Sequence, residues 1–160
     1  VIFSDSVSAK PLLREAKVQF LFDGRLNPEK NIPYLLQGFK RFLKTTPDAI
    51  LWIAGQGSQK RMLEKLVLDL GISDRVKFLG FLSHDQLSHF YASCDIFVLP
   101  SIYETQGLVA MEAMWYSKPI YCIRFLAFGQ QDDMEKFPVK RLYGIFPASS
   151  QVSPYAIFSF

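Results

Sequence analysis

Short apolar runs alternate with helical stripes along the middle of the chain, and this alternation limits the fold more than any other feature. Five runs have the length of a buried strand: VQFLF at 18–22, ILWIA at 50–54, VKFLG at 76–80, IFVLP at 96–100 and PIYCI from 119. Apolar residues at helical spacing stand between them, most clearly Leu35, Leu36, Phe39, Phe42 and Leu43. The runs lack polar alternation, which predicts an α/β fold with a parallel sheet covered by helices on both faces.

Three local signals predict where these helices begin and end. Pro33 stands near the first position of the first helix, where its missing N–H costs nothing. Gly71 follows the second helical stripe and supplies a C-terminal stop. Ser83 and Gln86 have the spacing of a capping box, which starts a helix running to about Ser93.

The composition is that of an ordinary soluble domain. The 160 residues are 49% hydrophobic and 21% charged, enough chain for one domain with a substantial core. The net charge of +3 is too small to indicate a nucleic-acid partner, although it is compatible with a local anion site. Cys94 and Cys122 lie in apolar segments, as reduced, buried thiols do. With no signal-peptide pattern and no bilayer-length apolar run, we expect a cytoplasmic protein.

Four loops are the predicted ligand-binding region. Ligands of parallel sheets bind outside the carboxyl ends of the strands, which selects loops 23–31, 55–58, 80–83 and 100–107. These loops carry two cations, several glycines and two polar side chains: Arg25, Lys30, Gly55, Gly57, Gly80, Ser101, Glu104 and Gly107. A helix start adds unpaired N–H groups and a positive dipole end. The combination predicts a phosphate site.

The helix after the fourth strand raises a separate question. Its sequence is apolar from Leu108 to Trp115 except for Glu112, and a helix that is apolar all round is normally buried. A buried carboxylate is costly unless something pairs with it. If Thr105 is the N-cap, the N–H groups of Gly107 and Leu108 are free for a ligand. We therefore expect Glu112 to have a polar partner.

Four motifs together resemble a known family. GRLNPEKN, LWIAGQG, VKFLG and CDIFVLPSIYETQGLVAMEAM occur in the order and spacing of the C-terminal, donor-binding domain of retaining GT-B glycosyltransferases of family 4, the glycosyl transferases group 1. Glu104 and Glu112 match that family's E-x7-E signature. The resemblance implies a Rossmann-like domain over 18–122, an irregular segment at 1–17, and a divergent C-terminal part of the same domain at 123–160.

The resemblance also implies roles for the matching residues. Arg25 and Lys30 hold the donor diphosphate and, with Glu104 facing the transferred sugar, form the catalytic set. Glu112 binds the ribose hydroxyls, which would explain its place in an apolar helix. The rest of the donor site is a set of glycines and backbone groups that lie under the nucleotide, beside the base or at the phosphate: Gly24, Gly55, Gly57, Leu79, Gly80, Ser101, Gly107 and Leu108.

The implied reaction moves a sugar from a nucleoside diphosphate sugar to a glycan or lipid-linked acceptor, as in polysaccharide or lipopolysaccharide biosynthesis. Arg25, Lys30 and the helix start would neutralise the leaving diphosphate, so neither a metal nor another cofactor is expected. The acceptor would bind an N-terminal domain that precedes residue 1, and any peripheral membrane association would belong to that longer parent. Thr105 and Gln106 replace the family's usual small and aromatic residues, which leaves the sugar open.

Other interpretations remain open from the sequence. The chain could be a fragment or degenerate copy that only binds nucleotide, or a GT-B epimerase or phosphorylase, against which the E-x7-E pair argues. The candidate residues also have purely structural explanations: solvated loop charges for Arg25 and Lys30, turn glycines for Gly55 and Gly57, a helix-dipole charge for Glu104, and a cation's partner for Glu112. His84 and His89 are expected at the surface, Asp132-Asp133 in solvent, and a sixth strand at 143–146.

Overall fold

The computed structural model describes residues 10–101 and 108–122. Within those residues, five parallel strands form one sheet in the order β3-β2-β1-β4-β5. The strands are β1 (Val18–Asp23), β2 (Ala49–Ala54), β3 (Val76–Gly80), β4 (Ile96–Leu99) and β5 (Ile120–Cys122). Each lies within a residue or so of the apolar run that predicted it, and the predicted parallel sheet is confirmed.

The strand ends differ slightly from the prediction for local reasons. β4 ends at Leu99, one residue before Pro100, because proline has no N–H to offer the ladder. β1 continues through Asp23, which pairs in register with Ala54 of β2. This extension places a carboxylate at the carboxyl end of the central strand.

In the described part of the chain, four α-helices connect the strands: α1 (Ile32–Thr45), α2 (Lys60–Leu70), α3 (His84–Ser93) and α4 (Leu108–Trp115). The predicted helix signals are confirmed, since Pro33 lies in the first turn of α1, Gly71 ends α2 in the left-handed region with φ 69°, and Ser83 and Gln86 form a capping box. The loop after β1 also contains a short 3-10 helix, Pro28–Lys30, which the sequence did not predict.

The helices cover both faces of the sheet, as predicted. Phe20 and Phe22 of β1 face α1 and α2, whereas Leu21 between them faces α3 and α4. The same alternation holds in β2, where Leu51 and Trp52 point to opposite faces and both are fully buried. Burial on both sides explains why the strands are continuous apolar runs.

Helix α4 departs from the expectation that its apolar sequence is buried on all sides. Ala110 and Ala113 are buried against β4 and β5, whereas four large side chains are 43–51% exposed: Leu108, Met111, Met114 and Trp115. The small alanines let the helix approach the sheet closely, so its bulky side chains project outward. The expectation is therefore wrong for the outer side of α4.

The candidate site lies where the order of the strands in the sheet reverses direction. β1 lies between β2 and β4, with Phe20 opposite both Leu51 and Ile96. The chain winds outward from β1 in one direction to β2 and β3, and in the other to β4 and β5. In sheets of this kind the crevice for ligands lies at that switch point, outside the carboxyl ends of the strands.

Among the described residues, no helix combines the length and the apolar character that crossing a membrane requires. Several predictions concern residues outside the described part of the chain: the irregular segment up to residue 9, Glu104, Thr105, Gln106, Gly107, Asp132-Asp133 and the sixth strand at 143–146.

Candidate functional site

Backbone hydrogen bonds join three of the four predicted ligand-binding loops at the carboxyl edge of the sheet. The N–H of Gly24 donates to the carbonyl of Ala54 at 3.2 Å, and the N–H of Leu26 donates to Gln56 at 2.9 Å. The N–H of Gly55 donates to the carbonyl of Gly80 at 2.7 Å. The loops after β1, β2 and β3 therefore form one connected surface.

The close approach of these loops explains two of the glycines. A Cβ added at Gly55 would lie 1.9 Å from the carbonyl oxygen of Gly24, and Gly55 has φ +121°. A Cβ added at Gly57 would lie 2.4 Å from the carbonyl oxygen of Leu26. Both positions require glycine for contact between loops, so the structural explanation is sufficient for them. Their part in nucleotide binding stays a prediction.

The two predicted phosphate-binding cations have different surroundings. Arg25 is 77% exposed in its side chain and lies 3.9 Å from the carboxylate of Glu29. Lys30 crosses back over Gly24, with its Cε 3.8 Å from the position a Cβ would take there, and its charge opposes the rise that burial causes in the pKa of Asp23. The structure thus places Lys30 at the edge of the central strand and Arg25 at the surface. The position of both relative to Gly107 is outside the described residues.

The remaining predicted donor-binding residues also lie at the carboxyl ends of their strands or at the start of α4. Leu79 is half-buried, and Gly80 has φ +71° with open space where a side chain would stand. Ser101 lies two residues after the end of β4 and is 2% exposed. Its hydroxyl has no hydrogen-bond partner in the structure as described. Leu108 is the first described residue of α4.

A buried tyrosine joins two carboxylates at the switch point. The hydroxyl of Tyr91 lies 3.3 Å from Oδ2 of Asp23, 3.3 Å from Oε2 of Glu112 and 3.4 Å from the carbonyl oxygen of Val109. Tyr91 itself is 2% exposed. A phenol has a single proton to donate, so the two carboxylates compete for it. We call Asp23, Tyr91 and Glu112 the carboxylate–phenol bridge.

The electrostatics of the bridge follow from burial and from its two like charges. Burial raises the pKa of Asp23 from 3.8 to about 6, and the charge of Glu112 adds to this, while the Tyr91 hydrogen bond and Lys30 act in the opposite direction. Burial and the two carboxylates raise the pKa of Tyr91 well above its usual range, so its hydroxyl remains a donor. The bridge therefore holds a carboxyl group that titrates near neutral pH.

Neighbouring side chains hold the Tyr91 ring in place. It stacks on Tyr116 with ring centroids 5.5 Å apart and planes 8° from parallel, and on Phe97 at 5.4 Å and 30°. These contacts come from the sheet and from the turn after α4. The phenol is consequently fixed by packing as well as by its hydrogen bonds.

Sequence reasoning missed two members of the bridge. The sequence pattern places Asp23 in the loop after the first strand and predicts no role for it, and Tyr91 has the helical spacing of a core residue. The available signal was a carboxylate between an apolar strand and Gly24, at the end of the sheet where ligands bind. Glu112 was predicted to need a polar partner, and the structure supplies Tyr91 as one. Within the described residues this partner is a phenol, and a cation as the partner of Glu112 stays an untested alternative.

The predictions of a buried thiol at Cys94 and of an exposed His84 are confirmed, whereas His89 is half-buried and the side chain of Cys122 lies outside the described part of the structure. Cys94 is a buried thiol, 1% exposed, and burial raises its pKa to about 12. His84 is exposed, and His89 has a ring nitrogen 2.8 Å from the carbonyl oxygen of Lys10, away from the bridge. In the described ranges, no three His, Cys, Asp or Glu side chains form a group that could hold a metal ion.

Comparison with known proteins gives consistent matches. The model of the family described as glycosyl transferases group 1 matches residues 4–129. The uncharacterized glycosyltransferase MJ1607 of Methanocaldococcus jannaschii is 40% identical over 108 residues, which are 68% of this chain and 27% of the relative. The chain spans about a quarter of the length of the curated relatives it matches.

Solved structures share the fold. The C-terminal domain of a glycosyl transferase group 1 family protein, LpcC, from Francisella tularensis superposes with a TM-score of 0.62 at 26% identity, covering 67% of this chain and 58% of that one. Alr3699/HepE of Anabaena, solved in complex with UDP, superposes with a TM-score of 0.57 at 28% identity, covering 64% and 28%. The α/β, Rossmann-like fold predicted from the sequence is confirmed.

Proposed function

Since the chain belongs to the glycosyl transferases group 1 family, we propose that it is the nucleotide-sugar-binding, C-terminal half of a cytoplasmic GT-B glycosyltransferase of family 4 that retains anomeric configuration. One observation carries this proposal. Lys30, whose Cε lies over Gly24, and Glu112, which the Tyr91 hydroxyl links to Asp23, come together at the switch point although they are far apart in sequence. A cation for phosphate and a carboxylate for ribose thus stand together where parallel sheets bind nucleotides.

Each of these groups has a chemical role in the proposed complex. Lys30 makes charge-assisted hydrogen bonds to the diphosphate. Arg25 joins it, because its exposed contact with Glu29 is worth little and a diphosphate carries more charge than one carboxylate. Glu112 uses Oε2 for Tyr91 and accepts the ribose hydroxyls with Oε1. Solved relatives such as Alr3699/HepE bind UDP, which supports a uridine nucleotide as the first ligand to test.

The proposed reaction breaks the bond between the anomeric carbon and the diphosphate and forms a bond to an acceptor hydroxyl. Negative charge develops on the leaving diphosphate, and fixed positive groups stabilise it. Lys30, Arg25 and the start of α4 supply these groups in a reaction that we propose to need no metal. Glu104 and Gly107, outside the described residues, keep their predicted places at the sugar and phosphate.

The acceptor is proposed to bind a second domain, because the chain spans about a quarter of its curated relatives. Holding the acceptor against the donor supplies on the order of 7–11 kcal/mol of the barrier. We therefore expect the 160-residue chain to bind a nucleotide sugar weakly and to transfer no sugar by itself. Transfer by this chain alone would contradict the two-domain proposal.

The test of nucleotide binding is the variant Glu112→Gln, measured by titration calorimetry or ligand-observed NMR with UDP. The amide is nearly isosteric but cannot accept two hydroxyl protons as a carboxylate does. We expect binding to weaken by about 1–3 kcal/mol, the cost of disturbing a hydrogen bond to a charged group. The control is Glu64→Gln on α2, where the carboxylate forms only an exposed pair with Lys60. Equal affinity of the two variants would remove Glu112 from the ribose site.

A further inference from the structure

We infer that Asp23 and Tyr91 are positioning residues for Glu112, and that donor binding is coupled to protonation of Asp23 through the carboxylate–phenol bridge. This inference rests on the proposed function, because it concerns how the proposed ribose ligand Glu112 is held. Neither residue belongs to the set that contacts the donor in the proposal above. Their effect on binding would come only through Glu112 and Lys30.

The geometry of the bridge has two different hydrogen-bonding states. When Asp23 is charged, the single Tyr91 proton is shared between two carboxylates at 3.3 Å, and Glu112 is held for only part of the time. When Asp23 is protonated, it donates to the phenol oxygen and Tyr91 donates to Glu112. The second state is a directed chain that fixes Glu112 and removes the repulsion between like charges.

The charged groups around Asp23 determine which state a ligand favours. Asp23, at the end of β1, faces Tyr91 from α3, Glu112 from α4 and Lys30 from the 3-10 helix, and Tyr116 stacks on Tyr91 from the turn after α4. A diphosphate bound to Lys30 neutralises a cation that favours the charged form of Asp23. It also adds negative charge nearby. Both changes favour protonation, so donor binding takes up a proton at Asp23.

The direction of the pH dependence follows from this coupling. Burial already raises the pKa of Asp23 to about 6 in the free protein, and the bound donor raises it further. Below both pKa values, Asp23 is protonated with or without bound donor, and the affinity for the donor is highest. As pH rises through the two values affinity falls, by about tenfold for each unit by which the donor raises the pKa.

The test is the affinity for UDP-glucose between about pH 5 and pH 8 for wild type, Asp23→Asn and Tyr91→Phe. A nucleotide sugar is used because its diphosphate is esterified at both ends, whereas the terminal phosphate of UDP has a pKa of ~6 that would mask the effect. We expect wild-type affinity to fall about tenfold across the range. Asp23→Asn, which mimics the protonated state, should remove the pH dependence and keep the affinity near its low-pH value.

Tyr91→Phe separates positioning from packing. It keeps the ring that stacks on Phe97 and Tyr116 and removes only the hydroxyl. We expect affinity to fall about tenfold below pH 6 and the pH dependence to shrink, with the thermal midpoint measured in parallel as the check on folding. The matched control is Asp95→Asn at the opposite edge of the sheet, which should keep the wild-type pH dependence of binding.

The outcomes separate the inference from the proposed function. Binding of UDP-glucose with the same pH dependence in wild type and Asp23→Asn would overturn the coupling. Unchanged affinity in folded Tyr91→Phe would overturn the positioning role. Both results would leave the proposed function intact. A folded wild-type protein that binds neither UDP-glucose nor guanosine and adenosine diphosphate sugars anywhere in the range would overturn the proposed function, and this inference with it.

Discussion

The two edges of the sheet differ in how completely their buried polar groups are hydrogen-bonded. At the amino edge, Gln19 is fully buried, yet its side chain donates to the carbonyl of Ser93 at 2.9 Å and accepts from the N–H of Glu15 at 2.7 Å. Asp95 accepts from the Arg14 guanidinium at 2.7 and 3.1 Å and from the N–H of Gln19 at 2.8 Å. The contacts of Arg14 and Glu15 join the segment before β1 to the domain, and those of Gln19 join β1 to Ser93 and Asp95.

The carboxyl edge has the opposite character. Asp23 and Glu112 share one phenol proton, and the buried Ser101 hydroxyl has no partner within the described structure. Gly55 is held at φ +121° against a neighbouring loop. These arrangements cost stability, whereas those at the amino edge stabilise the fold. We infer that the amino edge is selected for folding and the carboxyl edge for binding, since local strain and unpaired polar groups concentrate at functional sites.

The largest expected difference between the edges concerns two glycines. Gly55→Ala adds a Cβ 1.9 Å from a carbonyl oxygen at a positive φ, and we expect it to lower the free energy of unfolding by about 3 kcal/mol or more. Gly71, where α2 ends on the opposite side, also has a positive φ but open space around its Cα. Gly71→Ala should cost only about 1–2 kcal/mol. Urea denaturation measures both, and equal costs would contradict the close packing of the carboxyl-edge loops.

Replacing aspartate with asparagine should change protein stability in opposite directions at Asp23 and at Asp95. Because burial raises the pKa of Asp23 from 3.8 to about 6, the folded protein binds a proton more tightly than the unfolded chain. The contribution of Asp23 to the free energy of unfolding is therefore most favourable below about pH 4, and it is lost as pH rises through 6. Asp23→Asn should stabilise the protein at pH 7 by about 2–3 kcal/mol and lose this advantage below about pH 4.

Asp95→Asn should destabilise the protein at pH 7, because the carboxylate accepts from both Arg14 and the backbone of Gln19. The expected loss is about 1.5–3 kcal/mol, the range for a hydrogen bond to a charged group. Denaturation curves of both variants between about pH 4 and pH 8 make the comparison. A loss of stability in Asp23→Asn at pH 7 would mean that the bridge stabilises the fold.

The smallest effect is expected for two buried serines. Ser101→Ala removes a hydroxyl that makes no hydrogen bond within the described structure, and its effect on stability should stay within about 0.5 kcal/mol. Ser93→Ala, at the amino edge, leaves the N–H of Leu12 without the hydroxyl that accepts from it at 2.6 Å. It should cost about 1–2 kcal/mol. If Ser101→Ala proved the more damaging of the two, its hydroxyl would have a structural partner.

Much of the fold follows from short stretches of sequence. Apolar runs such as ILWIA predict strands buried on both sides, and the Ser83–Gln86 spacing predicts a capping box that the structure contains. The strand-end rule predicts Lys30 at the carboxyl edge of the sheet, and the structure has its side chain over Gly24 at that edge. Burial periodicity and capping depend on residues within a few positions of one another, and such interactions can be read along the chain.

Tertiary structure alone decided which polar groups meet at that edge. Asp23, Tyr91 and Glu112 belong to a strand and two helices that are separated in sequence, and strand order brings them together. Tertiary structure also explains why position 57 must be glycine, since a Cβ there would collide with the backbone of Leu26 on another loop. It likewise explains why the outer side of α4 is exposed although its sequence is apolar. The sequence by itself determined the sheet and its helices, and it predicts the carboxyl edge as the place where a ligand binds. The partners of each buried polar group depend on contacts between distant segments, which no local pattern encodes.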